Sequence, residues 1–266
     1  MVVMVDFEQE TEKIESWERE QGWETKDPFT HLTDPDLFVG FDDILKKFYR
    51  FAALGKNYAV LYGQYGYGKT SIIKKLSHEY RKKYNVVFFE DAPEREYVAE
   101  KIKELCSGKL VRALTLKKLD DYDYTSFNKL VHKRTILIFD EAHFLTSDSL
   151  HTIRTISNIE VPEKKLTTCL LIGEEGLWQR LQKDTYKAIR SRIYQVINIQ
   201  PLTEEETIDY IKFRILIAGG KPEVFDKQTY KNIHEKSKGI CRDINKFCYN
   251  LLVNRYLALN SKRSAE

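Results

Sequence analysis

Residues 63–70 read Gly63, Gln64, Tyr65, Gly66, Tyr67, Gly68, Lys69 and Thr70. The string fits G-x-x-x-x-G-K-S/T, the phosphate-binding P-loop. The run before it, Tyr58-Ala59-Val60-Leu61-Tyr62, is apolar and β-prone. The run after it, Ser71-Ile72-Ile73-Lys74-Lys75-Leu76, reads as the start of a helix. Strand, loop, helix is the context this motif requires. The glycines let the backbone curl so that successive N–H groups from Gly63 to Ser71 point at phosphate oxygens. The helix N-terminus adds its partial positive charge. Lys69 can reach the β- and γ-phosphates of ATP, and the Thr70 hydroxyl can ligate Mg²⁺. A dinucleotide fingerprint is excluded, because Gly66-Tyr67-Gly68 is followed by Lys69, Thr70 and Ser71 and the third glycine of G-x-G-x-x-G is missing.

The chain has 266 residues, enough for one large domain or two small ones with a sizeable core. Hydrophobic residues make up 42% and charged residues 31%, which excludes a disordered chain. No apolar run approaches the ~20 residues that span a bilayer, and the start, Val2-Val3-Met4-Val5 followed by acidic residues, shows no signal peptide. Cys106, Cys169, Cys241 and Cys248 form no C-x-x-C pair. They suit a reducing interior better than zinc or disulfides, so a cytoplasmic location with no membrane association is expected. A net charge of +3 permits a nucleic-acid partner without demanding one.

Residues 4–21 are charged, with Phe7, Ile14 and Trp17 at roughly helical spacing, and residues 1–27 are read as a helical N-terminal extension. A helix is expected from Asp42 to Leu54. Five β-prone runs follow, at 58–62, 86–90, 135–139, 168–172 and 195–199. Helical patterns separate them, among them 97–105 and 124–132. Alternation of this kind argues for a parallel α/β sheet covered by helices. After Pro201 only helical patterns remain, opening on Thr203-Glu204-Glu205-Glu206 as an N-cap with an acidic first turn. The expected fold is therefore α/β: a P-loop nucleotide-binding domain with a five-stranded parallel sheet over residues 28–201, then a small all-α domain over 202–266.

Ile136-Leu137-Ile138-Phe139-Asp140-Glu141 is an apolar strand ending in two carboxylates, as a Walker B motif does. Asp140 would hold the Mg²⁺ hydration shell and Glu141 would polarise the attacking water. Phosphoryl transfer needs little beyond alignment and charge stabilisation, so these few groups suffice. Ala142-His143 completes Asp-Glu-Ala-His, in which His143 reads as a local polar contact.

Beyond these motifs, residues 28–255 resemble the AAA+ ATPases, in particular the branch holding ExeA-type ATPases, transposition-regulator ATPases and archaeal origin-recognition proteins. Asp27-Pro28-Phe29 with Leu37-Phe38-Val39-Gly40 looks like the segment that covers the adenine, which makes Phe38 and Val39 nucleotide contacts. Residues 171–177 look like the sensor 1 region, with Glu174 where the family carries a neutral polar residue; Thr167 or Thr168 is the alternative in a shifted register. Residues 188–193 look like the arginine-finger box, offering Arg192 and, close by, Arg190. Residues 239–245 look like sensor 2 on a helical lid, with Arg242 reaching nucleotide of its own subunit. A planar guanidinium suits both arginine roles, since a transferring γ-phosphoryl group spreads negative charge.

The resemblance implies an ATP hydrolase that assembles as a ring, spiral or filament. Scattered basic pairs, among them Lys82-Lys83, Lys117-Lys118, Lys133-Arg134 and Lys262-Arg263, together with helices after Walker B carrying Arg154 and Lys164-Lys165, favour assembly on double-stranded DNA through phosphate contacts. No DNA-reading helix pattern follows Leu259. The competing readings are remodelling of a protein partner, a small-molecule kinase and a non-hydrolysing scaffold. A kinase would not need Arg192 or the Asp140-Glu141 pair, and intact Lys69, Asp140 and Glu141 argue against a scaffold.

Overall fold

The structure is a computed structural model. It describes residues 28–30, 38–106, 134–158, 160–161, 164–165 and 167–263, with the single positions Ser16 and Pro35. Apart from Ser16, which is helical, the expected helices over 4–21 and 124–132 lie outside the described residues.

Two compact units emerge. One holds Phe41–Tyr65 and Ile72–Ile199; the other joins the chain up to Gly40, the short piece Gly66–Ser71, and everything from Gln200 onward. The first unit opens with α1 (Asp42–Leu54), β1 (Tyr58–Tyr62) and α2, which starts at Lys69 and runs to Arg81. Then come β2 (Asn85–Phe89), α3 (Arg95–Cys106), β3 (Thr135–Phe139) and α4 (Ser147–Ser157). A hairpin of β4 (Glu160–Val161) and β5 (Lys164–Lys165) precedes β6 (Thr167–Gly173), α5 (Glu175–Leu181), α6 (Lys187–Arg190) and β7 (Ile193–Asn198). The long strands form one five-stranded sheet in the order β2-β3-β6-β1-β7, and every pairing in it is parallel. Their C-terminal ends therefore share one edge of the sheet.

Helices flank this sheet, and the pattern of burial says why. β3 and β6 are buried at every residue, as strands covered on both faces must be. On one face Leu137, Phe139, Val60 and Leu171 pack with Leu150, Ile153 and Ile156 of α4 and Leu177 of α5. Buried polar groups are matched: Tyr58 Oη meets Ser157 Oγ at 2.5 Å, Asn57 donates to the Ser157 carbonyl at 2.9 Å, and Thr167 donates to the Ile156 carbonyl at 2.9 Å. These bonds tie α4 to the N-terminal ends of β1 and β6.

The antiparallel β4–β5 pair corrects one expectation. Lys164-Lys165 lies on a hairpin strand between α4 and β6, and not on a helix. Strands of two residues carry no hydrophobic period, so nothing in the local pattern announces them.

The second unit is built on α7 (Glu204–Ile217), α8 (Lys227–Ser237) and α9 (Cys241–Arg263). Thr203 caps α7 through a complete capping box: its hydroxyl accepts from the Glu206 N–H at 3.2 Å and Glu206 Oε2 accepts from the Thr203 N–H at 2.8 Å. A cap of this kind contributes about 1 kcal/mol. The core gathers Ile211, Ile215, Tyr230, Ile233, Ile244 and Leu252, and Phe29 is buried in the same cluster with Val39 packed against it. Arg214 of α7 is buried and donates to the Pro28 carbonyl at 2.5 Å, with its guanidinium 5.6 Å from the centre of the Tyr210 ring. Pro28 and Phe29 are thus held by both an apolar anchor and a charge-assisted bond. Cys169, Cys241 and Cys248 are buried free thiols, and burial pushes Cys241 up to about 12. Among the described residues no helix is long and apolar enough to cross a membrane.

Candidate functional site

The P-loop leaves β1 at the shared edge of the sheet. Gly63 donates its N–H to the Gly173 carbonyl at the end of β6 (3.3 Å), and Ile199 donates to the Tyr62 carbonyl (2.8 Å). A Cβ on Gly63 would sit 2.3 Å from Ile199 Cγ2 and 2.8 Å from the Ile199 carbonyl oxygen. Only glycine fits at this exit. Gly63→Ala is expected to destabilise the protein by about 1–3 kcal/mol through overpacking. Urea unfolding checks this, and a midpoint equal to the parent's would show that the exit has room.

Past the exit, Gly66 and Gly68 take φ of +86° and +96°, the left-handed region that side chains avoid. Gln64 and Tyr65 are exposed, Tyr67 is half-buried, and Lys69, the first residue of α2, is buried with 6% exposure. Thr70 and Ser71 follow in the first turn of α2, half-buried. Amide groups at a helix N-terminus that follows a left-handed glycine turn form an anion cradle. Within the same unit, the loop is docked on the start of α9. The Arg242 N–H donates to the Gly66 carbonyl at 3.2 Å and the Cys241 thiol donates to the Tyr67 carbonyl at 3.8 Å. A Cβ on Gly66 would meet Ile240 Cγ2 at 2.9 Å. Arg242 is exposed, so its backbone touches the loop while its side chain is open to solvent.

The carboxylate pair stands at the end of β3, two strands from β1 with β6 between. Asp140 is buried at 4% exposure; its N–H donates to the Phe89 carbonyl at 2.9 Å, and its Oδ1 accepts the Glu141 N–H at 3.0 Å. A carboxylate at a strand end is a hard oxygen donor of the kind that holds a hydrated divalent cation, so Asp140 fits Mg²⁺ by its donor chemistry. Glu141 takes φ 49°, ψ 33°, a left-handed backbone in a residue that is not glycine. Such outliers persist where the surroundings hold them, and they cluster at functional sites. His143 Nδ1 lies 3.4 Å from Glu141 Oε2.

The other expected residues divide by geometry. Glu174 caps α5, is exposed, and donates its backbone N–H to His143 Nδ1 at 3.4 Å. Thr167 and Thr168 begin β6, at the opposite edge of the sheet from Gly63, and Thr168 donates to the Lys56 carbonyl at 3.0 Å. The shifted register that would have made either one sensor 1 is therefore excluded. Arg190 is half-buried and turned back onto the Gln182 carbonyl, whereas Arg192 is exposed and donates to the Ala188 carbonyl at 2.7 Å. Of the two, Arg192 is the one presented to solvent. Phe38 and Val39 are both half-buried.

One residue absent from the sequence reading stands out. Arg180 of α5 donates to the carbonyls of His143 and Leu145 and, from Nε and Nη2, to Tyr186 Oη at 3.1 and 2.8 Å. Tyr186 in turn meets Ser147 Oγ at 3.0 Å. Burial raises the Tyr186 hydroxyl, but its bonds to Ser147 and Arg180 and the Arg180 charge outweigh this and hold it below its ordinary value. No spacing rule singles out such a buttress; it becomes visible only when the turn after β3 and the helix after β6 are seen side by side.

A glycine-turned loop on β1 running into a helix that begins with a buried lysine, on a parallel sheet whose β3 ends in paired carboxylates, defines a P-loop nucleotide-binding protein with the AAA+ fold. Residues 53–181 match the family model described as the AAA domain. General secretion pathway protein A of Aeromonas hydrophila is 28% identical over 203 residues, which is 75% of this chain and 37% of that protein. This chain thus corresponds to little more than a third of that relative. Among solved structures, Cdc6p of Pyrobaculum aerophilum superposes with a TM-score of 0.61 at 17% identity, covering 86% of this chain and 67% of that one. The ORC1 protein of Aeropyrum pernix, solved in complex with DNA, gives 0.57 at 16%, covering 78% and 58%. A RuvB variant of Thermotoga maritima gives 0.53 at 16%, covering 81% and 63%. At these identities the structural likenesses speak for the fold alone.

Proposed function

We propose that the protein is an ATP hydrolase that binds ATP with Mg²⁺ and assembles when nucleotide is bound. The observation that carries the reading is the buried Lys69 at the N-terminus of α2, directly behind the two left-handed glycines. In this reading Lys69 and the amides of residues 63–71 hold the phosphates, Thr70 and Asp140 hold Mg²⁺, and Glu141 orients the water. Phe38 and Val39 cover the adenine. Arg242 acts on nucleotide of its own subunit. Arg192 acts on that of a neighbour in a ring, spiral or filament, with Arg190 as the alternative finger. The bound metal would neutralise phosphate charge; the protein groups align and polarise.

Hydrolysis per subunit should then rise with protein concentration, because the finger comes from a neighbour. Arg192→Ala and Glu141→Gln should each be inactive alone. Mixed, they should regain activity at interfaces that join an intact site to an intact finger. A turnover number that is constant from dissociated monomer upward contradicts a finger supplied in trans.

Double-stranded DNA is the proposed partner. Support comes from the basic chain, Arg154 on α4 and Lys164-Lys165 on the neighbouring hairpin, repeated once per subunit so that weak phosphate contacts sum. Anisotropy of a labelled duplex should show binding that needs an ATP analogue and weakens steeply with salt. A second reading, a cytoplasmic ATPase that remodels a protein partner, is favoured by the 28% identity to general secretion pathway protein A. Absence of duplex binding at low salt in the ATP-bound state would select it.

A further inference from the structure

Glu141 has an unusual neighbour. Its backbone is left-handed, and its carboxylate faces His143 Nδ1 across 3.4 Å. The same Nδ1 lies 3.4 Å from the backbone nitrogen of Glu174, the residue that follows β6. The His143 side chain is only 15% exposed. Its ring lies against Phe144 with centroids 4.0 Å apart, and its Nδ1 and backbone nitrogen would be 3.0 and 3.2 Å from a Cβ on Gly173. Arg180 fixes the turn from below by bonding the His143 and Leu145 carbonyls. The ring is therefore confined between the end of β3 and the end of β6.

Nδ1 can serve only one of these neighbours at a time. It carries either a proton or a lone pair. With a lone pair it accepts the Glu174 N–H, and it then repels the Glu141 carboxylate. With a proton it donates to Glu141 and cannot accept from Glu174.

We propose that His143 is a positioning residue for Glu141, and that the end of β6 sets whether the histidine holds the carboxylate or releases it. A shift of the Gly173–Glu174 backbone by a few tenths of an ångström would break one weak bond and favour the other. The state of the strand end is thereby passed to the group that orients water. This rests on the hydrolase reading, and its test has one arm that does not.

The first arm uses the ring nitrogens. In ¹⁵N-histidine-labelled protein without nucleotide, the His143 signals are those that vanish in His143→Ala. Glu141→Gln should move the Nδ1 resonance, because it replaces a pure acceptor with a group that can also donate. An unmoved Nδ1 resonance overturns the proposal, whether or not the protein hydrolyses ATP. The second arm uses turnover. His143→Ala should lower kcat about 10-fold while the Kd for ATP changes less than about 2-fold, a loss of about 1.4 kcal/mol confined to the chemical step. His143→Asn places an amide near the Nδ1 position and should restore at least half of the parental rate. Parental kcat in the alanine variant, or an asparagine variant as slow as alanine with equal ATP binding, overturns the proposal. A parent protein that binds ATP and does not hydrolyse it sinks the hydrolase reading instead, and the first arm still decides for His143.

Discussion

Glu141→Gln is expected to bind ATP as tightly as the parent and to hydrolyse it about 10²–10⁴-fold more slowly, the size of a general-base contribution. The substitution is nearly isosteric. In the proposed reading it removes the negative charge that draws a proton from water, and it leaves the buried Asp140, the P-loop and the β3 backbone in place. The left-handed turn at Glu141 should survive, because it rests on backbone contacts: the Asp140 N–H to Phe89 and the Phe144 N–H to the Glu141 carbonyl at 3.0 Å. ATP held without turnover should also prolong any nucleotide-dependent assembly. Calorimetry and steady-state hydrolysis on the same sample measure both halves. A variant that turns over at the parental rate would show that another residue orients the water.

The sheet was legible because its strands are made of different residues from everything around them. Tyr58–Tyr62 and Thr135–Phe139 are apolar, rich in β-branched or aromatic side chains and bounded by polar breaks, and the structure keeps both limits. The outer strands moved by one or two residues. β2 runs Asn85–Phe89 and β7 runs Ile193–Asn198, and both are only partly buried, so the apolar pattern that marks their ends is weaker. The N-cap at Thr203 was also readable, since its chemistry is local, though the reciprocal bond from Glu206 was not.

What could not be read was whatever depends on two distant segments meeting. Arg214 looks like an ordinary polar residue of an amphipathic helix until Pro28 is found against it. Arg180 has the same character. His143 was read as a polar contact, and it is one, but its two partners lie 2 and 31 positions away along the chain. Glu174 raised the opposite problem. A carboxylate near a γ-phosphate would be repulsive, yet the side chain is exposed and only its backbone faces inward. The residue type misled because the amide makes the contact.

Lys69→Ala is the second large expected effect, and it acts on binding itself. Lys69 is buried at the first position of α2, where an ammonium group adds its charge to the partial charge of the helix terminus. A charge-assisted hydrogen bond of this kind contributes about 1.5–3 kcal/mol, so the affinity for ATP should fall by about 10–150-fold. The loss should be larger for ATP than for ADP, because in the proposed reading the lysine reaches the γ-phosphate as well as the β-phosphate. The fold should survive. The turn before Lys69 is set by Gly66 and Gly68, and the loop is docked on α9 through the Gly66 and Tyr67 carbonyls, none of which needs the lysine side chain. The thermal midpoint without nucleotide should therefore stay close to the parent's. The ATP-dependent rise of that midpoint should shrink with the affinity. Calorimetric titration with ATP and with ADP, alongside thermal unfolding with and without nucleotide, separates these terms. Unchanged ATP affinity in a folded Lys69→Ala protein would remove the basis for reading residues 63–70 as the phosphate site.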